Sequence, residues 1–507
     1  MFRVILLFAF LAIGYCSISQ NDLDAIRYSR VGVNGTSRFV GLGGAFGAVG
    51  ADLSCGAYNP AGLGLYRRGE ITFSGGLKIT NNEGIINSKT STTPNSEFTF
   101  NNFGIVGAWQ AKNDKESRNV FSFSSSQTQN FESKIRMSSY TNSSSIAKDM
   151  LNKANQAGSA SNLNSYYEGL AYNVYLLDYD SATAKFFSFV DLKRSVLQSR
   201  DIVTSGKVND RNFSYAYAYK DEFYFGLSLG IPKVEYVSTT THTERDDKDS
   251  MKVTLTSTSF SSTYSDGLPF VYGDKLGFNS LTYVEYFKTT GSGLNLKLGG
   301  IARVNDNFRI GFYYHTPTIY TLKDEYYNTI SASFDKDPSK PITLKDPVDG
   351  GLFNYKIITP GRVSLNTAII IKKISVIGVD YEVVNYKTAS LGSVDVSDFA
   401  GVNAVIKNKY KIGHNLRVGA EFNVKPIIFR LGYNMQGSPF GNSFTGNFVR
   451  QSFCVGAGFR TKNNIYFDFV WVKTISTEDY FLFSSLNSKA NLKYNATNLS
   501  ATVGLKF

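Results

Sequence analysis

Residues 415–424 read NLRVGAEFNV, and their alternation decides the fold. Leu416, Val418, Ala420, Phe422 and Val424 share one face of an extended chain, while Asn415, Arg417, Gly419, Glu421 and Asn423 share the other. The next segment repeats the pattern, with Phe429, Leu431, Tyr433 and Met435 set against Arg430, Gly432 and Asn434. Upstream, Phe223, Phe225, Leu227, Leu229 and Ile231 alternate with Tyr224, Gly226, Ser228 and Gly230. Each run is about ten residues, long for a soluble strand and matched to a tilted strand that crosses a bilayer.

Charge recurs on the polar face of successive strands, at Lys297, Arg309, His315, Arg362, Asp380, Glu382, Arg417, Glu421, Arg430, Arg460 and Asp468. A water-filled lumen accounts for these positions at once; a solvent-exposed sheet face is the competing reading. Candidate strands number fourteen, near 70–80, 101–110, 119–128, 208–219, 222–238, 281–303, 307–322, 355–371, 374–386, 414–424, 427–435, 450–460, 465–475 and 492–507. Tight links fall at Lys220-Asp221, Asn305-Asp306, Lys372-Lys373, Lys425-Pro426 and 462–464. Long ones lie between them at 129–207, 239–280, 323–354, 387–413, 436–449 and 476–491. Short turns on one side and long loops on the other is the wiring of an outer-membrane barrel, and a sandwich has no reason to show it. The expected fold is therefore an all-β membrane protein, an antiparallel transmembrane barrel of about fourteen strands. The chain ends in alternating apolar residues and an aromatic, Phe507, as terminal barrel strands do.

Before the strands lies a different composition. Residues 35–66 are rich in Gly, Ala and small apolar side chains, with Gly41, Gly43, Gly44 and Gly47 interleaved with Phe39, Leu42 and Phe46, and a single proline in Asn59-Pro60-Ala61-Gly62. Glycines at this density suit short helices packed closely. A phosphate loop is excluded, since no strand precedes the stretch and no Lys-Ser/Thr follows it. The domain reading is a signal peptide at 1–19, a tether and hatch at 20–68, and the barrel at 69–507. Arg3, the apolar run 4–13 and Ser17-Ile18-Ser19 form the signal; bulky Tyr15 before Cys16 argues against lipidation. In the longest loop, 146–154 and 166–177 carry helical spacing and are read as an extracellular cap.

The net charge of +12 is scattered without a phosphate-tracking run, so nucleic acid is excluded as a partner. Aromatics make up 14% of the chain, mostly Phe and Tyr with only 2 Trp, which suits strands and membrane girdles. The 3 histidines, His242, His315 and His414, show no metal-ligand spacing, and no nucleophile motif is present. No enzyme activity, metal or cofactor is expected. His315 is the sole candidate for a haem ligand, against the plainer reading of a hydrogen-bonded lumen histidine. Cys55 and Cys454 read as two buried thiols.

With a signal peptide, a glycine-rich plug carrying Asn59-Pro60-Ala61 and a barrel in that order, the chain resembles the FadL family of outer-membrane transport proteins. Thr316-Pro317-Thr318 and the stretch 358–363, ITPGRV, are further points of likeness. The resemblance implies a fourteen-stranded barrel blocked by an N-terminal hatch, with Gly41, Gly43, Gly44, Phe46, Asn59, Pro60, Ala61 and Gly62 as its gating residues. It implies passive uptake of hydrophobic molecules such as long-chain fatty acids. Ligand would be captured by the loops and released sideways through a kinked third strand. The counterpart here is 120–128, where Ser122, Ser124, Ser125 and Ser126 make a weak, polar strand. The expected partners are a hydrophobic small molecule and the lipid and lipopolysaccharide of the outer membrane around a monomer. A shuttle or anchor role in type IX secretion and haem uptake are the alternatives.

Overall fold

The computed structural model describes residues 22–112, 114–142, 144–188, 190, 194–248, 250–251, 253–255, 262–264, 269–270, 277–335, 338–372, 374–393, 399–424, 426–441, 448–480, 482 and 489–507. The signal sequence read at 1–19, with Cys16, lies outside the described residues.

Fourteen staves form the barrel, each pairing antiparallel with the next. They are β1 (Glu70–Ile86), β2 (Lys89–Ala111), β3 (Asp114–Asn130), β4 (Val196–Tyr219), β5 (Phe223–Arg245) and β6 (Phe278–Asn305). Then come β7 (Phe308–His315 continued by Ile319–Phe334) and β8 (Ile342–Ile358 continued by Arg362–Ile371). The last six are β9 (Ser375–Asn385), β10 (Ile412–Val424), β11 (Ile427–Gln436), β12 (Arg450–Arg460), β13 (Ile465–Tyr480) and β14 (Ala490–Lys506). β14 returns to pair with β1 from Glu70↔Lys506 to Ile85↔Asn491, which closes the barrel.

Burial runs inside out. Arg430 is 0% exposed while its neighbour Leu431 is 54% exposed, and Asp468 at 0% adjoins Phe469 at 56%. A water-soluble sandwich would bury the leucine and phenylalanine and expose the charges. An apolar outer belt on a closed barrel is the solution that hydrocarbon imposes.

β7 and β8 each break once, at 316–318 and 359–361, where Pro317 and Pro360 have no N–H to offer a ladder. The breaks lie side by side and bond to each other, Thr318 N to Thr359 Oγ1 at 3.0 Å and Thr359 N to Thr318 O at 3.0 Å.

The staves reach further outward than the alternation indicates. β1 and β2 join through Asn87 and Ser88, both at positive φ (47° and 63°), where a link of some twenty residues had been expected. Likewise most of 323–354 is strand. These outer halves rise past the apolar belt, where no lipid enforces an apolar outer face, and the alternation that marks the belt fails there.

Over the mouth lie helices α3 (Ile146–Ala157) and α4 (Glu168–Asn173), numbered after α1 (Asp22–Ser29) and α2 (Ser37–Gly41) of the N-terminal segment. α4 is shorter than the 166–177 read from sequence. α3 is capped by Ser145 and ends at Gly158, whose φ of 78° favours glycine. Ile146, Met150, Leu170 and Val174 pack with Met137, Phe278, Leu281 and Ile330 of the wall. A further helix, α5 (Ala400–Lys409), lies in the connection before β10 and was not anticipated.

Candidate functional site

The N-terminal segment fills the lumen. α1 sits in an aromatic chamber with Tyr28 against Phe131 and Tyr320, and the Arg27 guanidinium lies 4.2 Å from the Tyr236 ring centroid. Beyond it the chain makes a compact unit of short helices, each started by a side-chain cap. Thr36 caps α2, Asp52 caps a 3₁₀ turn at Leu53–Ala57, and Asn59 caps another at Pro60–Leu65, with Pro60 at its first position. Thr36 Oγ1 also donates to Asp52 at 2.7 Å, which ties the first cap to the second. Asn59 Nδ2 donates to Gly47 O at 2.6 Å and its Oδ1 accepts from Ala61 N at 3.2 Å. The Asn-Pro-Ala triplet therefore ends one turn and starts the next. Phe39, Leu42, Phe46, Leu53 and Leu63 form the apolar centre of this unit. Among the predicted gating residues, Gly43 (φ 63°) and Gly44 (φ 80°) turn the chain after α2.

A band of wall glycines receives this unit; the sequence reading placed three of them, Gly226, Gly419 and Gly432, on the polar face without assigning a purpose. Gly226 and Gly299 are paired across β5 and β6, and Gly378, Gly419 and Gly432 across β9, β10 and β11. Hatch backbone rests directly on them: a Cβ on Gly311 would stand 2.6 Å from Gly47 O, and Gly226, Gly299, Gly378, Gly419 and Gly432 meet Ala61 N, Asn59 Oδ1, Ala45 O, Leu42 O and Gly43 N more tightly still. From the other side, a Cβ on Gly43 would come within 2.7 Å of Tyr433 O. The recurrence of Gly near the middle of successive strands was the available signal.

The predicted lumen charges all point inward, and at this level they meet the hatch and one another. Glu421 accepts from Arg38 Nε of α2 at 2.9 Å and from Arg430 Nε at 2.7 Å; Arg430 Nη1 continues to Asp468 at 2.8 Å, and Arg460 joins Asp468 at 3.2 Å. Asp380 Oδ2 accepts from Phe46 N at 3.0 Å and Gly47 N at 2.9 Å. Glu382 gathers Arg417 at 3.0 Å, Asn415 at 2.7 Å, Tyr313 at 2.8 Å and Arg362 at 3.4 Å, and Arg362 also donates to Ser29 O at the end of α1. Arg309 donates to Val49 O at 3.0 Å. Lys297 pairs with Asp210 at 2.6 Å. Taking such charges out of water is costly unless each is matched, and here the matching is shared between partners within the wall and partners on the N-terminal segment, the latter at Arg38, Asp380, Arg362 and Arg309. Arg38 and Asp52 complete this set and were not singled out in the sequence, because nothing in a glycine-rich run marks which residue will find a partner hundreds of positions away. His315 Nε2 lies 2.6 Å from Tyr58 O, a hydrogen bond between the wall and the hatch.

The third stave corrects one expectation. Ser122, Ser124, Ser125 and Ser126 are ladder-paired on both sides, to β2 and to β4, so that segment is no break in the wall. Ser122 and Ser124 face inward against Gly56, where their small size admits the hatch. The discontinuity begins one step further out. Pairing of β2 with β3 ends at Asn102↔Ser126, and the outer half of β2 pairs with β1 alone. β3 bulges at Gln127–Gln129, and its continuation, Ser133–Thr141, pairs with β4. This continuation lies against the β1–β2 hairpin through Asn82 Nδ2, which donates to Ser133 Oγ at 3.0 Å and Lys134 O at 3.1 Å. The wall here is thus a lapped seam. A cavity of about 50 Å³ remains between hatch and wall, lined by Tyr28, Tyr58, Thr128, Asp210, Asn295, Lys297 and His315 and by both proline breaks. Cys55 and Cys454 are free and buried.

A closed antiparallel barrel with an apolar outer belt and its own N-terminal segment folded into the lumen defines a plugged outer-membrane barrel. No protein-family model and no curated protein matches the sequence. Among solved structures the chain is similar to a FadL homologue of Pseudomonas aeruginosa, at 12% identity and a TM-score of 0.52, over 92% of this chain and 98% of that one. It also aligns with the toluene transporter TodX of Pseudomonas putida, at 11% identity and a TM-score of 0.49, over 91% and 96% of the two chains. The first likeness shows a FadL-type fold.

Proposed function

We propose that the protein is a passive outer-membrane channel for hydrophobic small molecules, long-chain fatty acids or compounds of similar character, with the N-terminal hatch as its gate. It works in this reading as a monomer, exported by a cleaved signal at 1–19, with 20–68 as tether and hatch. The observation that carries the reading is a sealed lumen with an aromatic chamber behind the cap: Tyr28, Tyr236, Tyr320, Tyr355, Phe399 and Tyr410 pack together where a porin would carry water. Such surface attracts apolar solutes and offers hydrophilic ones nothing. A cavity of about 50 Å³ has room for a water or two. An acyl chain therefore passes only when α1 and the hatch shift, and a ligand that binds the shifted form better drives that change. The seam beyond Ser126 is the exit that spares the ligand an aqueous path. The similarity to a FadL homologue supports this reading.

The test is uptake of a labelled long-chain fatty acid by cells lacking the protein, restored with the native chain or with a variant carrying Asn59→Ala, Pro60→Gly and Ala61→Gly. The native chain restores uptake, and the variant leaks small hydrophilic solutes because the hatch loses a cap worth about 1 kcal/mol and its fixed turn. Unchanged uptake in the absence of the protein, with stable co-purification of a secreted protein, overturns the channel reading.

A further inference from the structure

The outer surface carries a cationic patch just past the apolar belt of β4 to β8. On the outward faces of five consecutive staves the apolar positions give way to basic ones at the end nearest the long loops. Along β5, Phe223, Phe225, Leu227, Leu229 and Ile231 are followed by Lys233; along β4, Tyr217, Tyr215 and Phe213 are followed by Arg211 and Lys207. On β6 the change runs from Leu298, Leu296 and Leu294 to Lys288, on β7 from Ile319 to Lys323, and on β8 from Ile358 to Lys356.

Cross-strand register joins these positions into one surface. Lys207 stands opposite Glu235, and Lys233 opposite Asn209 and Ser292. Lys323 stands opposite Thr290 and Asn354, and Lys356 opposite Thr321. Directly opposed Cβ atoms are about 5 Å apart, and five neighbouring strands span about 19 Å. Glu325 holds Lys288 at 3.6 Å and Lys323 at 3.8 Å. Lys207, Arg211, Lys233 and Lys356 are exposed and make no ion pair among the described residues. The staves β9 to β12 end where the belt ends, and their outward positions, such as Val379, Tyr381, Leu416, Val418, Leu431 and Val455, include no Lys or Arg; Lys387 and Lys411 are exposed just past their outer ends.

We infer that this patch is a docking surface for a phosphorylated glycolipid of the outer leaflet, of the lipid A type. Its acyl chains lie along the leucine and phenylalanine belt of β4 to β8, and the phosphates at the two ends of its disaccharide meet the unpaired cations. The argument is charge complementarity in the right place, since basic side chains next to an apolar belt attract anionic headgroups. A headgroup with a single phosphodiester reaches only part of a surface this wide. The patch also borders the seam: Arg211 is paired with Ser125, the neighbour of the last rung between β2 and β3.

The experiment uses the full-length protein in detergent, exchanged against bis-phosphorylated lipid A, its monophosphorylated form, or phosphatidylglycerol, with retained lipid counted by native mass spectrometry. The bis-phosphorylated form is retained best. The variant combining Lys207→Gln, Arg211→Gln, Lys233→Gln and Lys356→Gln loses at least about tenfold in retention. Lys473→Gln, a lone outward cation on β13, retains lipid A as the native chain does. All four substituted side chains are exposed, and resistance of the barrel to SDS at room temperature confirms folding. Equal retention by the fourfold variant, or equal retention of phosphatidylglycerol by the native chain, overturns the assignment.

Discussion

Glu421 is the residue on which hatch and wall most directly depend, because one carboxylate holds Arg38 of the hatch and Arg430 of the wall. Replacing it with Gln leaves both guanidiniums short of a partner. Breaking a buried ion pair costs about 3–5 kcal/mol, and Glu421, which keeps 13% side-chain exposure, belongs at the low end. A loss of about 3 kcal/mol from the closed state shifts the closed-to-open ratio by about a hundredfold. Planar-bilayer recordings of Glu421→Gln should therefore show frequent openings where the native channel is quiet; an equally quiet variant would show that the glycine seat alone holds the hatch. Alternation in 415–424 placed Arg417, Glu421 and their neighbours on the correct face. It left open what they would face, because periodicity reports a side and carries no information on the occupant of that side. Water was the simplest filler for a lumen. The hatch took its place because six wall glycines let its backbone approach more closely than any side chain would allow.

Elements were legible to the extent that lipid shaped them. Within the apolar belt the staves show strict alternation and the short turns between them are marked by Lys, Asn and Asp, so the count of fourteen follows. Beyond the belt the same strands carry Thr, Asn and Ser on both faces, and β1, β2, β7 and β8 extend well past the ends that periodicity marks. The seam lies in that illegible zone. It is a matter of which neighbour a strand leaves, and pairing between distant segments is invisible to local pattern. The lap joint at Asn82 and Ser133 supplies a direct test. Their side chains meet tip to tip at 3.0 Å, so Asn82→Cys and Ser133→Cys can be joined by a short, reducible thiol-to-thiol cross-linker that pins the β1–β2 hairpin to the continuation of β3. Fatty-acid uptake through the cross-linked pair falls severalfold and recovers on reduction. Full uptake with the cross-link intact moves the exit elsewhere, with the adjoining breaks at Pro317 and Pro360 as the remaining discontinuity in the wall.

For the molecule as a whole, the closed form and the passing form differ in where the N-terminal segment lies, and the two native thiols report on that without any engineering. Cys55 belongs to the hatch and Cys454 to the wall it covers, and both are buried in one apolar cluster with Phe39, Leu42 and Leu53. Burial, with Asp52 nearby, also pushes the Cys55 thiol up from its ordinary range, so at neutral pH almost none of it is thiolate. The closed protein should resist a water-soluble maleimide for hours. Displacing the hatch removes both barriers together, exposing Cys55 to water and returning its thiol toward the ordinary value, so labelling accelerates by far more than exposure alone would give. Adding a long-chain fatty acid should raise the rate in the native chain, and Cys55→Ser should remove most of the increase while leaving the slower share due to Cys454. The sign with pH is fixed as well. In the closed state labelling stays slow as pH rises toward 9, since the raised thiol is still protonated there. In the ligand-opened state it climbs with pH as an exposed cysteine does. A labelling rate indifferent to ligand at every pH would mean that the hatch stays seated while ligand passes, which the 50 Å³ left beside it does not permit for an acyl chain.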